Sequence, residues 1–413
     1  MKRHFWVLVH RYAGLYMAFF LLVAGLTGSI LAFSPEINNL LNPPEKVEPF
    51  ATHRLDEFAL KERAESLQPQ GQILMMSFNR KVDEAYTALF TPRIDLVTQQ
   101  PFELTFDRIS LNPYTGIEIS KDKLGDDLWP ITRKNFISLI ISLHYKLALP
   151  DSIGVWLFGI AALIWTIDCF VSAYLTFPIS VYGYQTVTEF KQRSWLSRWK
   201  SSWLVKWRGS ALRINFDLHR AGGLWVWLML LILAWSSVGF NLNEQVYIPV
   251  MKTVFNMPDP MALAPKLDKP IPYPALSWQE AQRIGRENMA SQATLKGFNV
   301  VREDMLQYAP DYGVFFYIVH TNRDLIEEVG STWLVLDGAT GQYLGLNLPT
   351  GQNAGSTLNS WIFALHTAMI WGLPYKIFLS IVGLLISMLS ITGVYIWLKK
   401  RRARRLSVER KGR

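Results

Sequence analysis

The stretch that decides the fold lies at residues 10–33 and reads HRYAGLYMAFFLLVAGLTGSILAF. Its last 22 residues, 12–33, carry no charge. About 20 consecutive apolar residues are enough for a helix to cross the hydrocarbon core of a bilayer. The run is longer than the apolar region of a signal peptide, and LAFSP at residues 31–35 is a poor cleavage site. We therefore expect an uncleaved membrane-spanning helix.

Three further stretches meet the same length requirement. Residues 152–177 contain a single charge, Asp168, and residues 221–243 and 377–398 contain none. Charged residues make up 18% of the chain, against about 25% in soluble globular proteins, which excludes an ordinary soluble enzyme and a disordered chain. The single cysteine excludes a disulfide scaffold and a multi-cysteine zinc or iron–sulfur site. The sequence predicts an integral membrane α-helical bundle of four transmembrane helices.

Basic residues indicate how these helices are oriented. Lys and Arg are concentrated before the first stretch, in residues 178–218 and in the tail at 399–413, whereas residues 34–150 and 244–355 carry both signs. Cytoplasmic loops of membrane proteins are enriched in Lys and Arg. We therefore expect a multi-pass protein of the bacterial inner (cytoplasmic) membrane with both termini in the cytoplasm. This topology accounts for the net charge of +9, and no nucleic-acid partner is expected.

These features divide the chain into eight segments. From the N-terminus they are a cytoplasmic end with the first transmembrane helix (1–33), a periplasmic unit (34–133), an amphipathic helix with the second transmembrane helix (134–177), a cytoplasmic loop (178–218), the third transmembrane helix (219–243), a second periplasmic unit (244–355), an amphipathic helix with the fourth transmembrane helix (356–398) and a basic cytoplasmic tail (399–413). The chain thus crosses the membrane outward twice and inward twice.

The two halves of the chain repeat each other. One half begins its outgoing helix with HRYAGL from His10, and the other begins with HRAGGL from His219. A Leu-His pair precedes the returning helix of each half, at His144 and His366. The returning helices end alike, with Ser172-Ala173-Tyr174 and Gly393-Val394-Tyr395. Because both halves run outward and then inward, we expect parallel-topology repeats related by an axis along the membrane normal.

The repeat determines which histidines can meet. His10 and His219 both lie at the cytoplasmic end of an outgoing helix, and His144 and His366 both lie just outside a returning helix. Any other pairing would have to cross about 30 Å of hydrocarbon. Two imidazoles facing each other across a bundle are the minimal axial ligands of a six-coordinate b-type haem, and no C-x-x-C-H motif for a c-type haem is present. We predict two b-type haems whose iron is bound by these two histidine pairs; the alternative is that all four are interfacial polar residues.

Other polar residues near these positions are candidates for supporting roles. Arg11 and Arg220 directly follow the inner histidines and are suited to bind haem propionates. Asp168, as the one charge within a predicted span, is a candidate for proton handling or haem tuning, and a buried acid bonded to a neighbouring helix is the alternative. The histidines without a counterpart in the other half are His4, His53 and His320. Of these, His4 lies close enough to His10 in sequence to replace it.

The opening stretch, followed by Pro-Glu-Ile at residues 35–37, resembles the start of PepSY-associated transmembrane proteins. These are iron-regulated bacterial inner-membrane proteins that include haem-containing ferrisiderophore reductases. SLNPYTGIEI at residues 110–119 and WLVLDGATGQYL at 333–344 resemble the strand–turn–strand end of a PepSY unit, with Gly116 and Gly341 in the turns. Helices near residues 56–68 and 278–293 would precede these strands.

The resemblance covers nearly the whole chain and implies an extracytoplasmic α+β PepSY-like unit in each half. In the reductases, histidines at the helix ends bind two haems stacked across the membrane, which here implies His10, His144, His219 and His366. The second half departs from the pattern, because it reads LAWSSVGFN at residues 233–241 in place of the GLTGS string. Small residues are nevertheless present in both strings, so close helix packing is expected in both halves.

Two haems at opposite membrane faces would carry electrons across the bilayer. The chain has no G-x-G-x-x-G or other flavin or nicotinamide fingerprint, so the electron donor is expected to be a separate cytoplasmic reductase, a flavin or membrane quinol. A ferric siderophore or other ferric chelate in the periplasm fits as the one-electron acceptor, because hard oxygen ligands hold Fe(II) less well than Fe(III). The sequence therefore predicts a haem-dependent ferric-siderophore reductase.

Three alternatives to this function stay open. The protein could be a non-enzymatic PepSY membrane binding or regulatory protein, a metal or siderophore transporter, or a reductase of copper or of a soluble electron carrier.

The loop at 178–218 also allows two interpretations, since Trp195, Trp199, Trp203 and Trp207 recur every four residues among basic residues. This spacing favours an amphipathic helix on anionic membrane lipid, and a docking surface for the electron donor is the alternative.

Overall fold

A computed structural model of the protein describes residues 3–49, 53–79, 81–95, 97–124, 128–179, 194–258 and 260–411. Its α-helices are α1 (Arg3–Leu31), α2 (Ser34–Leu41), α3 (Glu57–Leu67), α4 (Phe136–Lys146), α5 (Asp151–Thr176), α6 (Trp195–Trp199), α7 (Ala211–Trp225), α8 (Trp227–Asn241), α9 (Ile248–Phe255), α10 (Trp278–Lys296), α11 (Ala354–Thr367) and α12 (Gly372–Lys411). Its strands are β1 (Gly71–Gln72), β2 (Met75–Ser77), β3 (Tyr86–Leu89), β4 (Thr91–Pro92), β5 (Arg108–Leu111), β6 (Glu118–Asp122), β7 (Val300–Ala309), β8 (Val314–Thr321), β9 (Thr332–Asp337) and β10 (Tyr343–Asn347). The protein is therefore a mixed α+β structure with long apolar helices.

The chain forms two compact units. A helical unit is made of Met1–Ser34, Ile137–Pro249 and Leu365–Arg413, and a mixed unit is made of Pro35–Phe136 and Val250–Ala364. The ranges of the mixed unit lie close to the predicted periplasmic segments 34–133 and 244–355.

Three helices of the helical unit are long and apolar enough to cross a membrane: α1, α5 and the first 36 residues of α12. The predicted third span is not one straight helix, because α7 and α8 meet at a bend of 71°. Val226, at the break, has φ −117° and ψ 18°, outside the helical region. Among the described residues the number of spans is thus three, or four if the bent pair counts as one. Position 226 itself is neither Gly nor Pro, and the predicted span ran through the Gly222-Gly223 pair that stands one turn before the break.

Small residues bring α1 and α12 into close contact. The hydroxyl of Ser380 donates to the Ser29 carbonyl at 3.1 Å, and Ser29 Oγ lies 2.9 Å from the Ser380 carbonyl oxygen. A side chain on Gly383 would lie 2.6 Å from the Gly25 carbonyl oxygen. Without a hydrophobic driving force inside a bilayer, such close packing and interhelical hydrogen bonds hold helices together. The GLTGS string at residues 25–29 thus supplies one side of a helix–helix contact.

Short helices precede the returning helices, as predicted. α4 carries His144 and ends at Lys146, and the next two residues, Leu147 and Ala148, have φ angles of +56° and +54°. α11 carries His366 and ends at Thr367, and the next residue, Ala368, has a φ of +58°. Each helix is therefore followed by left-handed backbone within four residues of its histidine, before α5 and α12 begin.

The mixed unit contains the predicted PepSY-like elements. The helix before each group of strands is present as α3 and α10, and Gly116 and Gly341 adopt φ angles of +69° and +74° in the β5–β6 and β9–β10 turns. One sheet has the antiparallel order β10-β9-β8-β7-β2, and two smaller sheets pair β3-β5-β6 and β1-β4. Since β2 comes from the first predicted segment and pairs with β7 of the second, the two segments share a sheet.

The described part of the Trp-rich loop is less helical than predicted. α6 has five residues and continues as a 3₁₀ turn over Lys200–Trp203. The rings of Trp195, Trp199 and Trp203 pack in sequence at 5.4 and 5.3 Å, and Trp199 Nε1 donates to Thr176 Oγ1 at 3.1 Å. Residues 180–193 of the loop lie outside the described residues.

We predict that Gly383→Val destabilises the protein, because the new side chain would collide with α1. Overpacking of this kind costs on the order of 2 kcal/mol. Leu384→Val is the matched control, since it places the same residue at the next position, where the side chain is 53% exposed. Thermal unfolding of the detergent-purified variants measures the effect. Equal melting temperatures for the two variants would contradict the proposed role of this contact.

Candidate functional site

The structure brings four of the seven histidines together as two pairs. His10 on α1 and His219 on α7 have ring centroids 6.1 Å apart, and His144 on α4 and His366 on α11 have ring centroids 6.2 Å apart. These are the two pairs expected from the repeat. All four side chains are partly buried and belong to the helical unit. We refer to them as the inner pair (His10 and His219) and the outer pair (His144 and His366).

The inner pair is held by hydrogen bonds at Nδ1. Nδ1 of His10 donates to both carboxylate oxygens of Asp168 on α5, at 2.9 and 3.0 Å. Nδ1 of His219 donates to the Leu389 carbonyl on α12 at 3.0 Å and lies 3.1 Å from Thr392 Oγ1. A carboxylate and a carbonyl only accept, so Nδ1 carries the proton in both rings.

The outer pair is held in the same way by two hydroxyl groups. Nδ1 of His144 lies 3.0 Å from Thr27 Oγ1, and Nδ1 of His366 lies 2.5 Å from Ser236 Oγ. Each hydroxyl directs its single proton to a backbone carbonyl one helical turn earlier, at 2.7 Å in both cases. With that proton engaged, the hydroxyl oxygens can accept from the rings, in agreement with a proton on Nδ1.

This protonation pattern leaves Nε2 of each ring available to a ligand. A neutral imidazole protonated at Nδ1 has its lone pair on Nε2, and a hydrogen bond from the other ring nitrogen is typical of metal-ligating histidines. Burial lowers the pKa of His144 to about 4 and that of His366 to about 3, which keeps the outer rings neutral at pH 7. The two outer rings are thus in the form that binds a metal ion.

The hydrogen-bond partners repeat between the halves as the histidines do. Thr27 and Ser236 each lie 17 residues after the first histidine of their half. Asp168 and Leu389 each lie six residues before the tyrosine that ends the returning helix. Thr27 and Ser236 are not among the predicted site residues, although their equivalent positions in the GLTGS and LAWSS strings were a usable signal.

A cavity of about 490 Å³ adjoins the inner pair. Much of its lining is apolar, and its volume lies in the range of sites for cofactor-sized ligands. Its basic lining residues are Arg3, Arg11, Arg220, Lys400 and Arg404. Among the described lining residues Asp168 is the one acid. This composition suits a largely apolar group that carries negative charges at its edge.

The two predicted propionate-binding arginines differ in their surroundings. Arg220 is anchored through Nη2 and Nε to the carbonyls of Ser201 and Ser202, at 2.9 and 3.2 Å, and through Nη2 to Asp217 at 3.0 Å. In the described part of the chain Arg11 makes no hydrogen bond or ion pair. Arg11 therefore offers its whole guanidinium to a ligand, whereas Arg220 is fixed and offers chiefly Nη1.

The remaining predicted residues lie apart from the two pairs. His4 is exposed on α1, and His53 is exposed in the mixed unit. His320 is on β8, where its Nδ1 lies 3.7 Å from a carboxylate oxygen of Asp324. Within the described residues no three His, Cys, Asp or Glu side chains come together as a set that could hold a metal ion.

Comparison with known proteins gives the family. The family model described as the PepSY-associated TM region matches residues 7–400, so the chain belongs to this family. No curated protein matches the chain. Family membership agrees with the membrane-spanning helices and with the strand–turn–strand elements of the mixed unit.

We predict that Asp217→Ala destabilises the helical unit, because Asp217 is fully buried between Arg213 and Arg220. Removing one partner of a buried ion pair costs about 3 kcal/mol. Asp151→Ala is the control: this carboxylate also pairs with a base, Lys146, but is 72% exposed, and such pairs contribute less than about 1 kcal/mol. Thermal unfolding in detergent tests the difference. A smaller loss for Asp217→Ala than for Asp151→Ala would refute this assignment.

Proposed function

We propose that this member of the PepSY-associated TM region family carries electrons across the bacterial inner membrane to a ferric chelate on the outer side. Each histidine pair would hold one b-type haem. The observation that carries the proposal is that four imidazoles, in two facing pairs, direct Nδ1 to protein oxygens and leave Nε2 free.

The spacing of the rings agrees with bis-histidine ligation. A metal–imidazole nitrogen bond is about 2.0 Å long, so two rings bound on opposite sides of one ion have centroids about 6 Å apart. The observed separations of 6.1 and 6.2 Å fit this value. Two imidazoles alone are too few ligands for a bare metal ion, whereas a haem brings its own four nitrogen ligands. The donor set therefore favours haem.

The chain's own residues would hold and orient the cofactors. The histidines would bind the haem iron, and the Thr27 and Ser236 hydroxyls fix the orientation of the outer rings. Arg11 and Nη1 of Arg220 would bind the propionates of the inner group, because guanidinium groups pair well with carboxylates. A bound haem supplies one-electron transfer.

The reaction would move one electron from a cytoplasmic reductase, a flavin or membrane quinol to Fe(III) in a siderophore or other chelate. The donor is oxidised, the iron becomes Fe(II), and the chelate's oxygen ligands then release it more readily. The proposed orientation, with both termini in the cytoplasm, follows from the basic residues of the N-terminus, the loop at 178–218 and the tail. It places the outer pair on the periplasmic side.

A metal or siderophore transporter is the second candidate. The 71° break between α7 and α8 favours it, because transporters commonly build their sites at discontinuous helices. A non-enzymatic PepSY binding or regulatory protein would use the histidines only structurally. Both alternatives predict a protein that needs no haem.

We predict that the detergent-purified protein binds two b-type haems per chain. The oxidised and dithionite-reduced absorption spectra, with a pyridine haemochrome count, measure this number. His144→Ala and His219→Ala should each remove one haem, because each removes one axial ligand. His53→Ala, which changes a histidine outside both pairs, should retain both. A protein that stays colourless after reconstitution with haem would refute the proposal and favour the binding protein.

We predict further that the reduced protein passes its electrons to a ferric siderophore. Stopped-flow mixing should show loss of the reduced α-band together with Fe(II) captured by a colorimetric chelator. His366→Ala should slow Fe(II) formation at least tenfold, since it disrupts the outer pair, and His53→Ala should not. Transport of intact chelate into proteoliposomes without oxidation of the haem would instead support the transporter.

A further inference from the structure

The four imidazoles have unequal partners. Three donate to neutral oxygens, which belong to Thr27, Ser236 and Leu389, and His10 donates to the carboxylate of Asp168. Since Leu389 occupies the place equivalent to Asp168 in the other half, the two halves differ here by one negative charge. Among the described contacts of the four rings, the Asp168 carboxylate is the one charged acceptor.

Asp168 is buried, and its negative charge lies next to the His10 ring. The residue is 6% exposed, and both carboxylate oxygens lie within 3.0 Å of His10 Nδ1. Basic side chains line the same cavity, yet within the described residues none of them forms an ion pair with Asp168. The carboxylate is therefore shielded from water and bonded to a single cationic or N–H partner, the His10 ring.

We propose that Asp168 is a positioning residue that makes the inner haem the harder of the two to reduce. This inference rests on the proposed function. A carboxylate that accepts the N–H of a ligating imidazole increases the basicity of that ligand. The added negative charge stabilises Fe(III) relative to Fe(II), which lowers the reduction potential.

The consequence is a direction for electron transfer. The outer rings donate to hydroxyl groups, which provide no such charge, so the outer haem is the easier to reduce. Electrons that enter at the inner pair then move to the outer pair at a favourable free energy.

Redox titration of the two-haem protein tests the inference. The reduction potential that disappears from the titration of His219→Ala is that of the inner haem. The potential that disappears in His144→Ala is that of the outer haem. In the unmodified protein the inner potential should be the lower. Asp168→Asn keeps the shape and an acceptor oxygen but removes the charge, so it should raise the inner potential and leave the outer one in place. Asp168→Glu should restore part of the difference.

A spectroscopic readout separates this role from a merely structural one. The low-spin ferric electron paramagnetic resonance signal of the inner haem should shift in Asp168→Asn, because the His10 ring loses imidazolate character. Asp151→Asn is the control: it removes a carboxylate from the same helix, α5, but one that is 72% exposed and outside the inner site. It should change neither the inner potential nor the inner signal.

The outcomes distinguish this inference from the proposed function. If the unmodified protein binds no haem, the proposed function fails. If it binds two haems and Asp168→Asn leaves the inner potential unchanged, the role of Asp168 is refuted while the function stands. If Asp168→Asn loses the inner haem, the inference is tested by the two reduction potentials of the unmodified protein. An inner potential equal to or above the outer one refutes it.

Discussion

The site depends on one constraint, which is that a polar N–H buried in an apolar bundle must find an acceptor. Each of the four imidazoles meets this constraint with an oxygen on a neighbouring helix: α1 bonds to α5, α4 to α1, α7 to α12 and α11 to α8. Each bond fixes the orientation of a ring and also joins two helices. The packing of the bundle and the geometry of the two histidine pairs therefore depend on each other.

α1 sets the distance between the two pairs. It carries His10 of the inner pair and Thr27, the acceptor for the outer pair, and these 17 residues span about 25 Å along a helix. Between them Phe20 packs on Phe158, with ring centroids 5.5 Å apart. The second half reaches its equivalent contacts through the bent pair α7 and α8.

Much of the site could be predicted from the sequence, because depth in the membrane and the repeat both restrict which histidines meet. The short helices that carry His144 and His366, and the Gly116 and Gly341 turns, also followed from local patterns. The break at Val226 did not, since Val226 and its immediate neighbours, Trp225 and Trp227, are apolar. The pairing of β2 with β7 and the bond between His10 and Asp168 join distant parts of the chain, and no local pattern encodes such contacts.

Two haem sites of equal potential would give electrons no preferred direction between them. Changing a ligand would make the sites unequal but would endanger binding of the cofactor. Changing the acceptor behind a ligand keeps the histidine and alters only its basicity. The chain differs in this second way, with the Asp168 carboxylate behind an inner histidine and the Thr27 and Ser236 hydroxyls behind the outer ones. The buried carboxylate is stabilised where it lies, because both of its oxygens are within 3.0 Å of His10 Nδ1.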